Sequence, residues 1–123
     1  MSNITIEGNL ADEVTLRYTN DGTAVADLVV IENRRQKNDV GEWEDGTPTR
    51  HRLVAWGSLA ENAHESLTKG DRIVATGELF TEQWADKDTG EARYSTKTKA
   101  TSLGASLRYA IAKPQKSTKV DTN

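Results

Sequence analysis

The sequence predicts an all-β protein, a five-stranded barrel with one helix inserted between the third and fourth strands. Three observations carry that reading. Residues 49–56, TRHRLVAW, and 72–84, RIVATGELFTEQW, keep the two-residue period of a strand, in which successive side chains point to opposite faces. Between them, SLAENAHESLTKG sets Leu59, Ala63 and Leu67 at i, i+4 and i+8, the spacing of one helical face. The rest of the chain is punctuated by hairpin signals, Asn20-Asp21-Gly22 and a polar run from Ala85 to Gly90. A lone helix after the third strand of an otherwise β chain is the connectivity of the OB-fold barrel.

The first strand covers residues 4–10, with Ile4, Ile6, Gly8 and Leu10 on one face and Thr5 and Glu7 between them. A glycine inside a strand marks a bend or bulge, so Gly8 belongs at a barrel corner. Asp12 and Glu13 turn the chain, and residues 14–18 resume it. The second strand runs from Ala24 to about Arg35. It is apolar through VADLVVI, hence core, and basic at its end in Arg34 and Arg35. Residues 36–48 read as a long polar loop. Trp43, its one large apolar residue, is either a lid on its own domain or a ligand contact, and the neighbouring Glu42, Glu44 and Asp45 would repel phosphate.

Ser58 as N-cap and Glu61 three residues later make a capping box for the helix. Lys69 in its last turn and Gly70 as a left-handed C-cap would end it. The fifth strand, residues 93–100, sets Arg93, Ser95, Lys97 and Lys99 on one side and Tyr94, Thr96, Thr98 and Ala100 on the other. Residues 107–112 suggest a short further helix or strand. One domain over residues 1–110 thus precedes a short, basic, disordered tail over 111–123.

The third and fourth strands share an unusual mixture. Arg50, Arg52, Val54 and Trp56 fall on one face of the third, opposite Leu53 and Ala55. Arg72, Val74, Phe80 and Trp84 fall on one face of the fourth, opposite Ile73, Ala75 and Leu79. A strand ring is ordinarily core and a strand arginine ordinarily solvated, but a core face would not mix the two. Rings on which bases stack, beside cations that track phosphates, are what holding single-stranded nucleic acid requires. The alternate cations Arg93, Lys97 and Lys99 are either a phosphate stripe or an ordinary solvent-facing edge.

Composition narrows the alternatives. With 123 residues the chain suits one domain. Zero cysteines exclude a disulfide framework, a CxxC zinc site and a thiol nucleophile, and the two histidines, His51 and His64, lack ligand spacing. No HxxE, HxH or carboxylate cluster is present, so no enzyme activity, metal or other cofactor is expected. No apolar run approaches ~18 residues and no signal-peptide pattern opens the chain, so a soluble cytoplasmic protein is the expectation. The net charge of −3 does not advertise a nucleic-acid partner. Local charge matters more, and a groove can be basic on an acidic protein.

HRLVAWGSLAENAHESLTKGDRIVATGEL, followed by Trp84 and then by Tyr94 beyond a glycine-containing turn, resembles the bacterial single-stranded DNA-binding protein (SSB) family. NITIEGNL and VTLRYTNDGTAVADLVV are similar to its first two strands, and the resemblance runs from about Asn3 to about Leu103. It implies an OB-fold protein that binds single-stranded DNA without strong sequence preference. Such a protein protects single strands in replication, repair or recombination, in the cytoplasm and associated with the nucleoid.

The resemblance sets Trp56 and Trp84 at stacking positions, Arg52 at a basic groove position and His51 at a subunit contact. It implies a homotetramer whose dimers pair through first strands, with Ile4 and Ile6 in the contact, and a mobile 36–48 loop that closes over DNA. Arg50 stands where the family often has tryptophan, and Arg35 or Gln36 stands near another such position. Arginine can still stack through its planar guanidinium.

Taken with the residue patterns, the candidate nucleic-acid-binding set is Arg34, Arg35, Arg50, Arg52, Trp56, Arg72, Phe80, Trp84, Arg93, Lys97 and Lys99. The family typically ends in an acidic, apolar-tipped segment that docks repair partners. Here Lys113, Lys116 and Lys119 face the single Asp121, so tail-docked repair proteins are not expected. Two other readings fit the same residues, an OB-fold RNA-binding protein and an adaptor for protein assembly.

Overall fold

The computed structural model describes residues 2–118. Its elements are β1 (Asn3–Leu10), β2 (Thr15–Tyr18), β3 (Ala24–Glu32), β4 (Arg35–Lys37), β5 (Trp43–Asp45), β6 (Thr49–Trp56), α1 (Ser58–Ser66), β7 (Arg72–Ala85) and β8 (Ala92–Ala105). One sheet runs in the order β1-β7-β8-β6-β3-β2, and a further pairing of β1 with β3 closes it into a ring. The ringed strands are therefore β1, β3, β6, β7 and β8, with α1 between the third and fourth of them. This is the five-stranded OB barrel. All ladders are antiparallel except β6 with β8.

Alternation fills the interior. Leu28 and Val30 of β3, Leu53 and Ala55 of β6, and Ile73 and Ala75 of β7 meet in one cluster, to which α1 adds Ala60 and Ala63 and its C-cap adds Leu67. Burying each larger aliphatic side chain contributes about 1.5–3 kcal/mol. β1 pairs with β7 from Asn3 to Asn9 and with β3 at Asn9 and Leu10, so it changes partners at its end. Gly8 sits at that crossing. A Cβ there would lie 2.4 Å from the Ile31 carbonyl oxygen, so only glycine lets the two backbones approach.

Several local expectations are corrected. The capping box does not form. The N-cap is Gly57, with φ of 69° and no side-chain cap, and its N–H donates to the Ala24 carbonyl at 2.9 Å. That bond ties the helix entry to β3 and leaves Ser58 as the first helical residue. At the other end the helix stops at Ser66, before Lys69. Gly70 does have a positive φ, 93°, but it serves a separate turn, donating its N–H to the Leu10 carbonyl at 2.9 Å.

The second barrel strand ends at Glu32, where its ladder with β6 ends at Thr49. Arg35 instead opens β4, which pairs with β5 so that most of the expected 36–48 loop is a two-stranded arm. Ile4 and Ile6, expected at a subunit contact, face the core: Ile6 is 2% exposed and Ile4 packs on the same cluster. Even residues of β1 point inward, so its outer face is Asn3, Thr5, Glu7 and Asn9.

Residues 107–112 form no helix or strand. The chain there is pinned by Ser106, whose N–H donates to the Arg72 carbonyl and whose hydroxyl donates to Glu7. Of the expected basic tail, Lys119, Asp121, Thr122 and Asn123 lie outside the described residues. Among the described residues no helix is long and apolar enough to cross a membrane.

The close approach at Gly8 yields a direct test. Gly8→Ala should cost about 1–3 kcal/mol of stability, as overpacking does. Urea denaturation would read this as a lower midpoint at unchanged slope, and an unchanged midpoint would contradict the crossing geometry.

Candidate nucleic-acid interface

The outer face of β6 carries Arg50, Arg52, Val54 and Trp56, while Leu53 and Ala55 turn inward. Opposite them on β3 stand Ile31, Val29, Asp27 and Val25, in that order. Val25 and Val54 are buried among these longer neighbours, and Trp56 remains 38% exposed. On its other side β6 runs parallel to β8, with Val54 opposite Lys99. β8 then pairs with β7, setting Lys97 opposite Phe80 and Arg93 opposite Trp84. The two ring-bearing strands are thus joined by a basic strand between them. One continuous surface runs from Trp56 across β8 to Phe80 and Trp84.

Past the core, β7 and β8 continue as a hairpin arm. Their pairing extends to Ala85 and Ala92, and residues 81–85 are all exposed. Leu79, expected on the core face, is 41% exposed because the arm has left the barrel at that point. Trp84 is 49% exposed and borders a shallow depression of about 380 Å³ with Gln83, Ala85, Gly90 and Ala92. Phe80 and Trp84, four residues apart on one side of a strand, are separated by about 13 Å along it.

Most of the candidate cations are already paired. Arg50 meets Asp12 at 3.7 Å, Lys97 meets Glu82 at 2.9 Å, Arg93 meets Asp86 at 3.1 Å and Arg35 meets Asp45 at 2.9 Å. Among the described residues Arg34, Arg52 and Lys99 make no ion pair. Arg72 is not brought into the surface. It begins β7, twelve residues from Trp84, which is roughly 40 Å along an extended strand, and its guanidinium donates to Glu7 at 2.7 Å. The Tyr109 ring covers it at 5.7 Å. His51 lies on the inward parity of β6 and bonds Glu32 within the chain at 2.9 Å.

Two features were not read from the sequence, and one left open there, the place of Trp43, is resolved. Arg17 reaches the same surface because β2 pairs it with Val25, next to Trp56, and it donates to Asp27 at 3.2 Å. Its alternation was visible, but its neighbour depends on the β2–β3 register. Glu82 and Asp86 stand beside the cations of the surface, which required the β7–β8 register to see. Trp43 stands 60% exposed on the β4–β5 arm with the Lys37 ammonium 5.5 Å above its ring, so it is not a lid packed on the barrel.

Among the described residues no group of three His, Cys, Asp or Glu side chains could hold a metal ion. Asp86 titrates below the usual aspartate range because it accepts the backbone N–H groups of Asp88 and Thr89, with the Arg93 guanidinium adding to them. Glu7 is held low by Arg72 and then by Ser106.

The model of the single-strand binding protein family matches residues 1–106. This chain belongs to that family. It is 38% identical over 117 residues to the single-stranded DNA-binding protein of Mycolicibacterium smegmatis, a match spanning 94% of this chain and 70% of that protein. The corresponding protein of Paenarthrobacter aurescens is 39% identical over 111 residues, covering 89% of this chain and 64% of the relative.

Two solved structures share the barrel. A deletion mutant of the single-stranded DNA-binding protein from Thermus aquaticus superposes with a TM-score of 0.74 at 25% identity, covering 89% of this chain and 52% of that one. An SSB of Plasmodium falciparum in complex with single-stranded DNA gives 0.76 at 20% identity, over 85% and 94%. At that identity the second likeness speaks for the fold.

These depressed carboxylates, with Asp21, which is held low by the Thr19 hydroxyl, make a prediction about acid. A carboxylate whose folded pKa lies below its unfolded value, near 4, contributes stability above that value and loses it as pH falls through the folded pKa. Urea midpoints should hold from about pH 7 to 5 and drop below about pH 4. Glu7→Gln should start lower and fall less. A variant that loses as much on acidification as the parent would show that Glu7 is not one of the groups responsible.

Proposed function

We propose that this chain binds single-stranded DNA without strong sequence preference and protects it during replication, repair or recombination. The observation that carries the reading is the continuous outer face in which β8 joins Trp56 and Arg52 to Phe80 and Trp84. Trp56 and Trp84 stack bases, and Phe80 lies between them along the path. Arg52 and Lys99 meet phosphates directly, and Arg50, Arg93 and Lys97 do so by exchanging their carboxylate partners. Arg34 and Arg35 extend the path toward the β4–β5 arm. Arg72 has no part in it.

Binding needs no cofactor and no bond is made or broken on the strand, so this is not an enzyme. The unit that binds is residues 1–110, with the basic segment beyond adding weak attraction. The working form is a homotetramer in the cytoplasm, on exposed strands of the nucleoid. Ile6 is committed to the core, so any pairing through β1 uses its outer residues and its backbone edge. An RNA strand offers the same ring faces and phosphates, and discrimination against it requires a contact to the 2′-OH. Competition between matched DNA and RNA oligonucleotides separates the two.

Two outcomes follow. Single strands should quench tryptophan fluorescence and bind far more tightly than duplex, whose base faces are hidden; equal affinity at physiological salt would sink the reading. Trp56→Ala or Trp84→Ala should each weaken binding by about 1–3 kcal/mol, the worth of a base–ring stack, while melting changes little. Truncating a core tryptophan would instead cost about 3–5 kcal/mol of stability. A variant that melts early yet still binds would reassign its tryptophan to packing.

A further inference from the structure

Besides Arg17, which Asp27 of β3 holds at 3.2 Å, three cations of the outer face have an acid beside them. Arg50 is held by Asp12 from the turn after β1, Lys97 by Glu82 from β7, and Arg93 by Asp86 from the tip of the arm. The carboxylates come from two separate places in the fold, the turn after β1 and the β7–β8 arm, yet each meets a cation on the same surface. Each pair keeps at least one partner well exposed, although Lys97 and Asp86 are themselves only 23% and 25% exposed. The Arg50 and Asp12 side chains are 55% and 63% exposed, and those of Lys97 and Glu82 are 23% and 46% exposed. The pair away from the face is different, because Ser106 donates to the same Glu7 oxygen that accepts from Arg72.

We propose that Asp12, Glu82 and Asp86 are resident counter-ions of the interface, positioning residues that keep its cations neutralised until phosphates displace them. The inference rests on the single-strand reading of this face. Exposed ion pairs hold weakly, whereas phosphate is a strong, often bidentate partner for a guanidinium. When a phosphate takes the cation it sheds its condensed small ions. The freed carboxylate then faces solution and draws small cations back toward itself. Part of the ion release that ordinarily drives binding is cancelled, so affinity depends less on salt than the number of phosphate contacts implies. The arrangement also accounts for a chain of net charge −3 that presents cations to a polyanion: at rest the face is close to neutral, and Arg52 and Lys99 are left to make the first contacts.

The test is a salt titration of binding to a dT oligonucleotide by the full chain, comparing two double variants of equal charge. Asp12→Asn/Glu82→Gln removes two resident counter-ions. Glu13→Gln/Glu61→Gln removes two acids placed elsewhere, Glu13 at the backbone N–H of Lys69 and Glu61 in the first turn of α1. Each phosphate contact contributes roughly 0.7 to the slope of log affinity against log salt for single strands. The first variant should therefore steepen the slope by up to about 1.4, and bind several-fold more tightly at low salt with the gain fading at high salt. The second should leave the slope in place. A third variant, Asp86→Asn, keeps an oxygen for the turn N–H groups and should steepen the slope as well. Equal slopes for the two double variants, or weaker binding by the first, would overturn the proposal while leaving the single-strand reading intact. Failure of the unaltered chain to bind dT would overturn both.

Discussion

The ladder between β3 and β6 is the constraint on which the rest depends. It runs without interruption from Val25 opposite Trp56 to Glu32 opposite Thr49. Inward residues of those two strands, Ala26, Leu28, Val30, Leu53 and Ala55, supply the centre of the core. Outward residues of the same strands supply Arg50, Arg52 and Trp56. Because side chains alternate with a period of two, a slip of one residue would bury two guanidinium groups and expose Leu28 and Leu53. The register that stabilises the barrel is thus the register that builds its charged and aromatic face. Neither can be altered alone.

The same ladder explains why much of the molecule could be read in advance. Alternation over residues 49–56 and 72–84 is a local property, and it placed Leu53, Ala55, Ile73 and Ala75 inward and the arginines and tryptophans outward. The helix between the strands and the turn at Gly22 were legible for the same reason. Non-local choices were not. The Ser58–Glu61 pattern lost to Gly57, whose backbone bond to Ala24 fixes the helix entry from a strand far away in sequence. Arg72 shares a strand side with Trp84, but parity says nothing about distance along a strand, and Glu7 claims it. Ile4 and Ile6 were assigned to a contact by likeness alone, whereas the alternation in their own strand points them inward. The β4–β5 arm was hidden because its strands are three residues each and polar.

Electrostatics forms a second layer over this framework. Total charge is a poor guide here, because acids and bases are not segregated into opposite halves of the molecule. They are interleaved side chain by side chain on one surface. Such a surface has a small field at long range and a large one at contact. It therefore does little to steer a distant ligand and much to hold one already aligned. Recognition would then depend on contact geometry, which the β6–β8–β7 sequence of rings and cations provides.

The arm formed by the far halves of β7 and β8 has one more implication. Its residues 81–85 have no core beneath them, so its cohesion comes from its own backbone ladder, the Glu82–Lys97 pair and the Thr89, Asp86 and Arg93 contacts near the tip. Segments with exposed hydrogen bonds and few buried neighbours open at far lower free energy than the body of a domain. The molecule is thus a stiff ring carrying a compliant limb, and the indole of Trp84 rides on the limb while that of Trp56 is fixed to the ring. On the single-strand reading, a bound polymer with variable spacing between its bases would find one rigid foothold and one that can follow it, so irregular strands would be accommodated by the arm without loosening the barrel.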